Sequence, residues 1–310
     1  MQSAVLPAAF IYVFKRLPYI EQKGCHAMPA NATQQQTIRP GQLFSVIQLK
    51  NSTARTTALH HHDYYELFFL LEGDVNYCVE SRQLPLHAGD VMLVSPQELH
   101  RASPCTAQAE YERVVVWVSK KFMTKYSTAK TDLAQCFAPG KANILRGSVA
   151  CRQNLAYCVR SLAKLQSSEE FGADVDATRC LLELLVSVNR LSASAVPPPA
   201  KEADAAAAVI CEVVDYIHAH YCEDLSLDQL AETFFISKYH LSHAFQRQIG
   251  TSVYRYIIQK RLQMARQMLR GQTPPSEVYS PCGFGDYANF YRAFKMEYQM
   301  SPKQYLQSIR

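Results

Sequence analysis

The stretch HHHDYYELFFLLEG carries His60, His62, Tyr64, Glu66, Phe68 and Leu70 at alternate positions, so an extended strand would turn all six to one side. A further imidazole, His100, closes the stretch AGDVMLVSPQELH. Imidazole and carboxylate donors of this kind can hold Mn, Fe, Ni or Zn, and open coordination positions would permit oxygenase or isomerase chemistry. The same groups also suit a hydroxylated small molecule. His60, His62, Glu66 and His100 would fix its polar atoms, while Tyr64, Tyr65, Tyr77 or Trp117 would cover its C–H surface.

A second set of side chains points to another partner. Between Thr233 and Ser276 there are seven Lys or Arg and no Asp or Glu, and extending to Arg310 gives eleven basic against three acidic residues. A field of one sign on part of a chain with a net charge of only +5 is a footprint for a polyanion. Within it lies a repeat. A shift of 49 residues superimposes Ser237 on Asp286, Leu241 on Phe290, Phe245 on Phe294, Ser252 on Ser301 and Tyr256 on Tyr305. The first three pairs read as a polar cap followed by the inward positions of an amphipathic helix.

In the first copy, Ser226 and Gln229 form a capping-box pattern, a turn follows at Phe235–Ser237, Ser237 caps a second helix and Gly250 ends it. With Leu241 and Phe245 inside, Lys238, Tyr239, Ser242, His243 and Gln246 point out. Two short helices joined this way make the helix-turn-helix shape whose second helix enters the major groove. A single pair would read better as a small bundle with a solvated face; the repeat, the missing acids and the interleaved aromatics overturn that in favour of DNA.

These groups need scaffolds. The 310 residues, 48% apolar and 19% charged, are enough for two folded domains. Residues 43–118 alternate β-branched and aromatic runs with turn signals, which predicts antiparallel sheets or a barrel; residues 148–166 and 174–191 read as helices, and everything after the proline-rich stretch SASAVPPPAKEADAAAA reads as helix. The fold class is therefore α+β. The boundaries expected are a poorly ordered extension at 1–36, with Met28 as an alternative start, a sensor at 37–191, a linker at 192–206 and a helical domain at 207–310. The apolar start MQSAVLPAAFIYVF lacks a basic flank, is interrupted by Pro7 and is too short to span a bilayer. Ten cysteines without metal-site spacing fit reduced thiols in the cytosol.

From about Ala207 to Arg310, the combination LAETFFISKYHLSHAFQRQIGTSVYRYI, RLQMARQML, GFGDYANFYRAFK and SPKQYL resembles the DNA-binding domain of the AraC/XylS family of transcription regulators. The resemblance implies two helix-turn-helix units bridged by a long helix, YRYIIQKRLQMARQMLR. It places Tyr239, Ser242 and His243 at base-facing positions of the first unit. In the second, Asp286 to Lys295 is the recognition helix, with Tyr287, Ala288, Tyr291 and Arg292 facing DNA and Lys295 near phosphate. The second unit departs from the family at Pro275, Tyr279, Pro281 and Gln299, the last standing where a Gly is usual. The spacing His-x-His-x3-Glu-x6-Gly73 is similar to the first motif of cupin barrels, while the second motif is irregular, with Glu98 where its Gly should stand.

The resemblance further implies a cupin-like barrel that binds its effector through His60, His62, Tyr64, Glu66 and His100 without a metal or other cofactor. It also implies a homodimer contact made by the helix carrying Leu181, Leu184, Leu185 and Val188. The expectation is a cytoplasmic, non-enzymatic regulator, an activator responding to a small polar compound such as a sugar, with duplex DNA and RNA polymerase as partners and no membrane association. The rival readings are a metal cupin enzyme, with ligands His60, His62, Glu66 and His100, fused to a DNA-targeting module, and a constitutive structural DNA binder.

Overall fold

The structure, a computed structural model, describes residues 38, 42–51, 56–106, 110–139, 141–194 and 205–309. The expected N-terminal extension at 1–36 and most of the expected linker lie outside the described residues. The flanks of that linker are helical, because the helix before it runs to Ser194 and the helix after it begins at Ala205.

Among the described residues the first half contains eight strands: β1 (Phe44–Asn51), β2 (Tyr65–Glu72), β3 (Asp74–Val79), β4 (Arg82–His87), β5 (Val91–Val94), β6 (His100–Pro104), β7 (Tyr111–Val118) and β8 (Ile144–Leu145). They form a five-stranded sheet in the order β1-β7-β2-β5-β8 and a three-stranded sheet in the order β4-β3-β6, every pairing antiparallel. Helices α1 (Lys120–Tyr126), α2 (Val149–Gln166) and α3 (Ala173–Ser194) follow.

Both faces of the larger sheet are covered, which is why β2 and β7 read as nearly unbroken apolar runs. Leu67 and Phe69 of β2, with Val114, Val116 and Val118 of β7, pack towards α2 and α3. The alternate residues, Phe68, Leu70, Val115 and Trp117, pack with Val75, Tyr77 and Leu86 of the smaller sheet. The two faces thus divide along strand parity, and the even positions of β2 line the barrel interior.

This packing corrects the dimer assignment. Leu181, Leu184, Leu185 and Val188 are completely buried within the subunit, in the same core as the sheet. A leucine stripe opposite an apolar sheet face is consumed by that sheet, since burying each such side chain gains about 1.5–3 kcal/mol. None of the four is available to a second copy.

The second half is helical: α4 (Ala205–His220), α5 (Leu227–Thr233), α6 (Lys238–Ile249), α7 (Val253–Arg270), α8 (Pro275–Val278), α9 (Tyr287–Tyr298) and α10 (Pro302–Ser308). The 49-residue repeat is visible in the backbone. Ser237 and Asp286 each accept a hydrogen bond from the amide three residues on, at the starts of α6 and α9. Gly250 and Gln299, which the same shift superimposes, are both left-handed at their ends, with φ of 88° and 56°. Ser252 and Ser301 cap α7 and α10 in the same manner.

The copies differ at their first helices. Ser226 and Gln229 complete a capping box on α5, whereas α8 has only four residues, Pro275 in its first turn and no side-chain cap. Its shortness accommodates both prolines. Pro275 sits where no helical N–H is needed, and Pro281 lies beyond the helix rather than inside it. Two cores result. Val253, Tyr256 and Ile257 of α7 join the first, and Leu262, Ala265 and Leu269 join the second.

Candidate functional site

Glu66 is the hub of the barrel interior. Tyr77 donates its hydroxyl to Oε1 at 2.8 Å, Trp117 donates its indole N–H to Oε2 at 2.6 Å, and His62 Nε2 lies 3.0 Å from Oε2. His100 Nε2 stands 3.8 Å from the same oxygen, an electrostatic contact too long for a hydrogen bond, and this buried nitrogen has no hydrogen-bond partner among the described residues. Burial opposes the charge on Glu66, but His100 and His62 outweigh it and hold the carboxyl well below its usual range.

The three imidazoles are held alike. His60, His62 and His100 each have Nδ1 within 3.0 Å of a main-chain carbonyl two residues away, on Ala58, Tyr64 and Glu98 respectively. A carbonyl can only accept, so in neutral His60 and His100 it fixes the proton on Nδ1 and leaves the lone pair on Nε2, whereas the His62 ring lies between two acceptors, the Tyr64 carbonyl and the Glu66 carboxylate. One ring nitrogen from each of the three lies within 4.8 Å of the others. The ring of Tyr64 stacks on His62 at 4.3 Å and meets the edge of Trp117 at 6.2 Å.

The structure thus brings together all five residues expected to bind the effector: His60, His62, Tyr64, Glu66 and His100. It separates one of the aromatic walls. Tyr65, of opposite parity, packs on Phe137 in the core beneath α2 and α3. Tyr77 of β3 and Trp117 of β7 turn out to be hydrogen-bond donors to Glu66, a role their inward positions on the two sheets allow but do not announce. A cavity of about 310 Å³, lined by Cys151, Leu155, Arg190 and Leu191 among others, lies at α2 and α3, away from this polar cluster.

The cluster makes the folded sensor sensitive to acid. Burial, with the neighbouring charge of His100, pushes His60 down from 6.5 to about 3, and His61 and His62 are lowered mainly by burial too. An unfolded chain therefore takes up protons on these rings below about pH 6.5 while the native state does not, so stability falls as pH falls. Glu66 acts in the same direction below its unfolded value of 4.5. His100, raised by Glu66 against the pull of burial, acts oppositely, its contribution fading only as pH climbs through its folded value. Between pH 7.5 and 5.0, His60 alone should cost about 2 kcal/mol, read as a lower urea midpoint. A midpoint that stays level or rises towards pH 5 would contradict this.

The residues expected to face DNA lie on the outer sides of α6 and α9. Lys238, Tyr239, His243 and Gln246 are exposed and Ser242 is half-buried; Tyr287, Ala288, Arg292 and Lys295 are exposed and Tyr291 is half-buried. Leu241, Phe245, Phe290 and Phe294 face inward, fully buried. Tyr239 and His243 lie against each other, their ring centroids 4.1 Å apart, and Lys238 pairs with Asp228 of α5. On α9 a chain of contacts fixes one guanidinium: Asn289 donates to Asp286 at 2.5 Å, and Arg292 donates to Asn289 at 2.6 Å.

Known proteins match both halves. A helix-turn-helix domain matches residues 230–308 and a cupin domain matches residues 50–117. The probable transcriptional regulator LumQ of Photobacterium leiognathi is 33% identical over 97 residues, covering 31% of this chain and 39% of that protein. The uncharacterized helix-turn-helix regulator YbfI of Bacillus subtilis is 25% identical over 232 residues, 73% of this chain and 78% of that protein. A Staphylococcus aureus regulator is 23% identical over 76% of this chain, which spans only 30% of its length. Among solved structures, an apo variant of ToxT from Vibrio cholerae superimposes with a TM-score of 0.37 at 13% identity, covering 87% of this chain and 99% of that one.

A cupin domain and a helix-turn-helix domain on one chain, with relatives named as transcriptional regulators, define a DNA-binding transcription regulator. A cupin-like half comes first and two helix-turn-helix units last, the order that the resemblance to AraC/XylS regulators implies. No helix among the described residues is long and apolar enough to cross a membrane.

Proposed function

We propose that the chain is a cytoplasmic, effector-responsive activator whose sensor binds a small polar compound, most naturally a sugar, and whose α6 and α9 read a specific DNA sequence. The observation that carries the reading is the convergence of His60, His62, Tyr64 and His100 on Glu66, a closed set of polar anchors beside aromatic faces. The cluster acts as a binding site rather than a catalytic one, in keeping with relatives named as regulators. Two copies pair through the outer faces of α2 and α3, where Val149, Tyr157 and Val175 are exposed, and RNA polymerase is the further partner.

The test is a thermal-shift screen of chelator-treated protein against a sugar panel. A ligand at a hundredfold excess over its dissociation constant adds about 2.7 kcal/mol to the folded state. Trp117, the chain's one tryptophan, touches Glu66, so its fluorescence should change with the same ligands. No shift across the panel, with Trp117 emission unmoved, overturns the sugar reading.

One observation supports a second reading. Three imidazoles with Nδ1 anchored to carbonyls, the Nε2 of His100 having no hydrogen-bond partner among the described residues, are built as metal ligands are. His60, His62 and His100 would then hold a divalent transition ion, with Glu66 beside it. Stoichiometric metal in purified protein, and a thermal shift that chelation abolishes and metal restores, would favour it.

On the DNA side, the contacts that fix Arg292 suit a base-edge reader, whereas Lys295 has the simpler role of meeting phosphate. Arg292→Ala should cost about 1–3 kcal/mol and relax preference at one position; Lys295→Ala should weaken all sequences alike and flatten the salt dependence. Selection from randomised duplexes checks this, and an unchanged preference in the Arg292 variant refutes the assignment.

A further inference from the structure

The alternation that brings His60 and His62 to the sensor cluster leaves Leu59, His61 and Asp63 facing the other way, and all three contact the DNA-binding half. Leu59 is buried in the core of the first helix-turn-helix unit, and its carbonyl accepts from Gln259 of α7 at 3.2 Å. His61 lies 3.4 Å from both Arg266 Nη2 of α7 and the Tyr298 hydroxyl of α9. Asp63 pairs with Arg266 at 2.6 Å and also with Arg270. Five successive residues thus serve the two domains in strict alternation.

The strap they form is not loose. His60 exchanges two main-chain hydrogen bonds with His100, at 3.1 and 2.8 Å, and the Gln97 amide donates to the His62 carbonyl at 2.8 Å. The segment holding the strap repeats its pattern. His100 enters the cluster, while Leu99 is buried in the first unit's core and the Gln97 carbonyl accepts from Gln263 of α7. Neither segment covers α6 or α9 residues expected to read bases; together they touch the shared helix α7 and the C-terminal end of α9.

We propose that the Leu59–Asp63 strap is the coupling element of this regulator. A change in the positions of His60 and His62 shifts Asp63 and His61, and through Arg266, Arg270 and Tyr298 it resets how the second helix-turn-helix unit is held relative to the first. In an extended segment adjacent side chains cannot move independently, because both hang from one peptide backbone. The polar character of the contact fits an interface that rearranges. Asp63 is satisfied by two arginines and by Gln97, while Arg266 Nε and the side-chain oxygens of Gln259 and Gln263 find no hydrogen-bond partner among the described residues.

The proposal rests on the reading that the histidine cluster is the effector site, but its test uses no effector, so a failed ligand screen and a failed coupling test are separate results. Hydrogen exchange of the full chain carrying His62→Ala, with His60→Gln as the milder variant, should quicken about tenfold in residues 262–270 and 290–298, the size expected for loss of one charge-assisted contact. The effect should vanish in an Asp63→Asn background. Coupling free energies are reciprocal, so Arg266→Gln with Arg270→Gln, remote from the barrel, should in turn change acrylamide quenching of Trp117 by about twofold, and Arg266→Lys should restore part of it. Responses in both directions sustain the proposal. Exchange unchanged in both histidine variants, a response that persists undiminished with Asp63→Asn, or a Trp117 signal indifferent to the arginines overturns it.

Discussion

Glu66→Ala should lower the melting temperature of the sensor by roughly 10 °C or more, corresponding to about 3–5 kcal/mol. The carboxylate is almost fully buried and accepts from Tyr77 and Trp117 while facing His62. Removing it strands the Tyr77 hydroxyl and the Trp117 indole N–H in the barrel, where neither can reach water, and an unpaired buried donor costs more than its hydrogen bond was worth. It also removes the anion that opposes burial at His100. Glu66→Gln should recover only part of the loss, because an amide offers one accepting oxygen and an NH2 that confronts the remaining donors. Urea or thermal unfolding followed by Trp117 fluorescence measures both variants. A Glu66→Ala protein within 1 kcal/mol of the parent would mean that the hub is not carrying the barrel interior.

Phe294→Ala should cost the second helix-turn-helix unit about 3–5 kcal/mol. Its ring is fully buried and lies 5.6 Å from Phe290, 4.6 Å from Tyr298 and 5.8 Å from Tyr305, centroid to centroid. Such a cluster, on a short helix next to the four-residue α8, has little else to hold it, since twelve residues do not form a stable helix alone. Loss of α9 order should carry sequence-specific DNA binding with it while the first unit's core stays folded. Circular dichroism melting paired with gel shift tests this; a variant that melts with the parent and binds DNA equally well refutes it.

Much of this was legible because it is local. Parity along β2 and β7 is readable since both are runs of β-branched and aromatic residues, and the caps Ser237, Asp286 and Gly250 act within a few residues of themselves. β4, with the sequence RQLPLH, has too little apolar pattern to be distinguished from a loop. The leucine stripe on α3 was legible as apolar but not as to what covers it, because periodicity identifies a face and not its partner. Gln299 shows the limit from the other side. Its left-handed backbone is imposed by the repeat's packing on a residue that disfavours it, so local preference alone would not find it. Least legible were His61 and Asp63, whose partners lie some two hundred residues further along the chain. The signal was present, as the odd positions of HHHD, but without a docked second domain it has no meaning.

The shared helix α7 sets a phase as well as a distance. Its 18 residues rise about 27 Å and turn by about 100° at each residue, with the first unit packed on its start and the second on its end. A single residue inserted between Ile257 and Leu262 would leave either core its own partners, yet it would rotate one reading helix by more than a quarter turn about the axis joining them. The length of α7 is therefore constrained by neither core alone. It works as a gauge that fixes the turn of α9 about the axis it shares with α6.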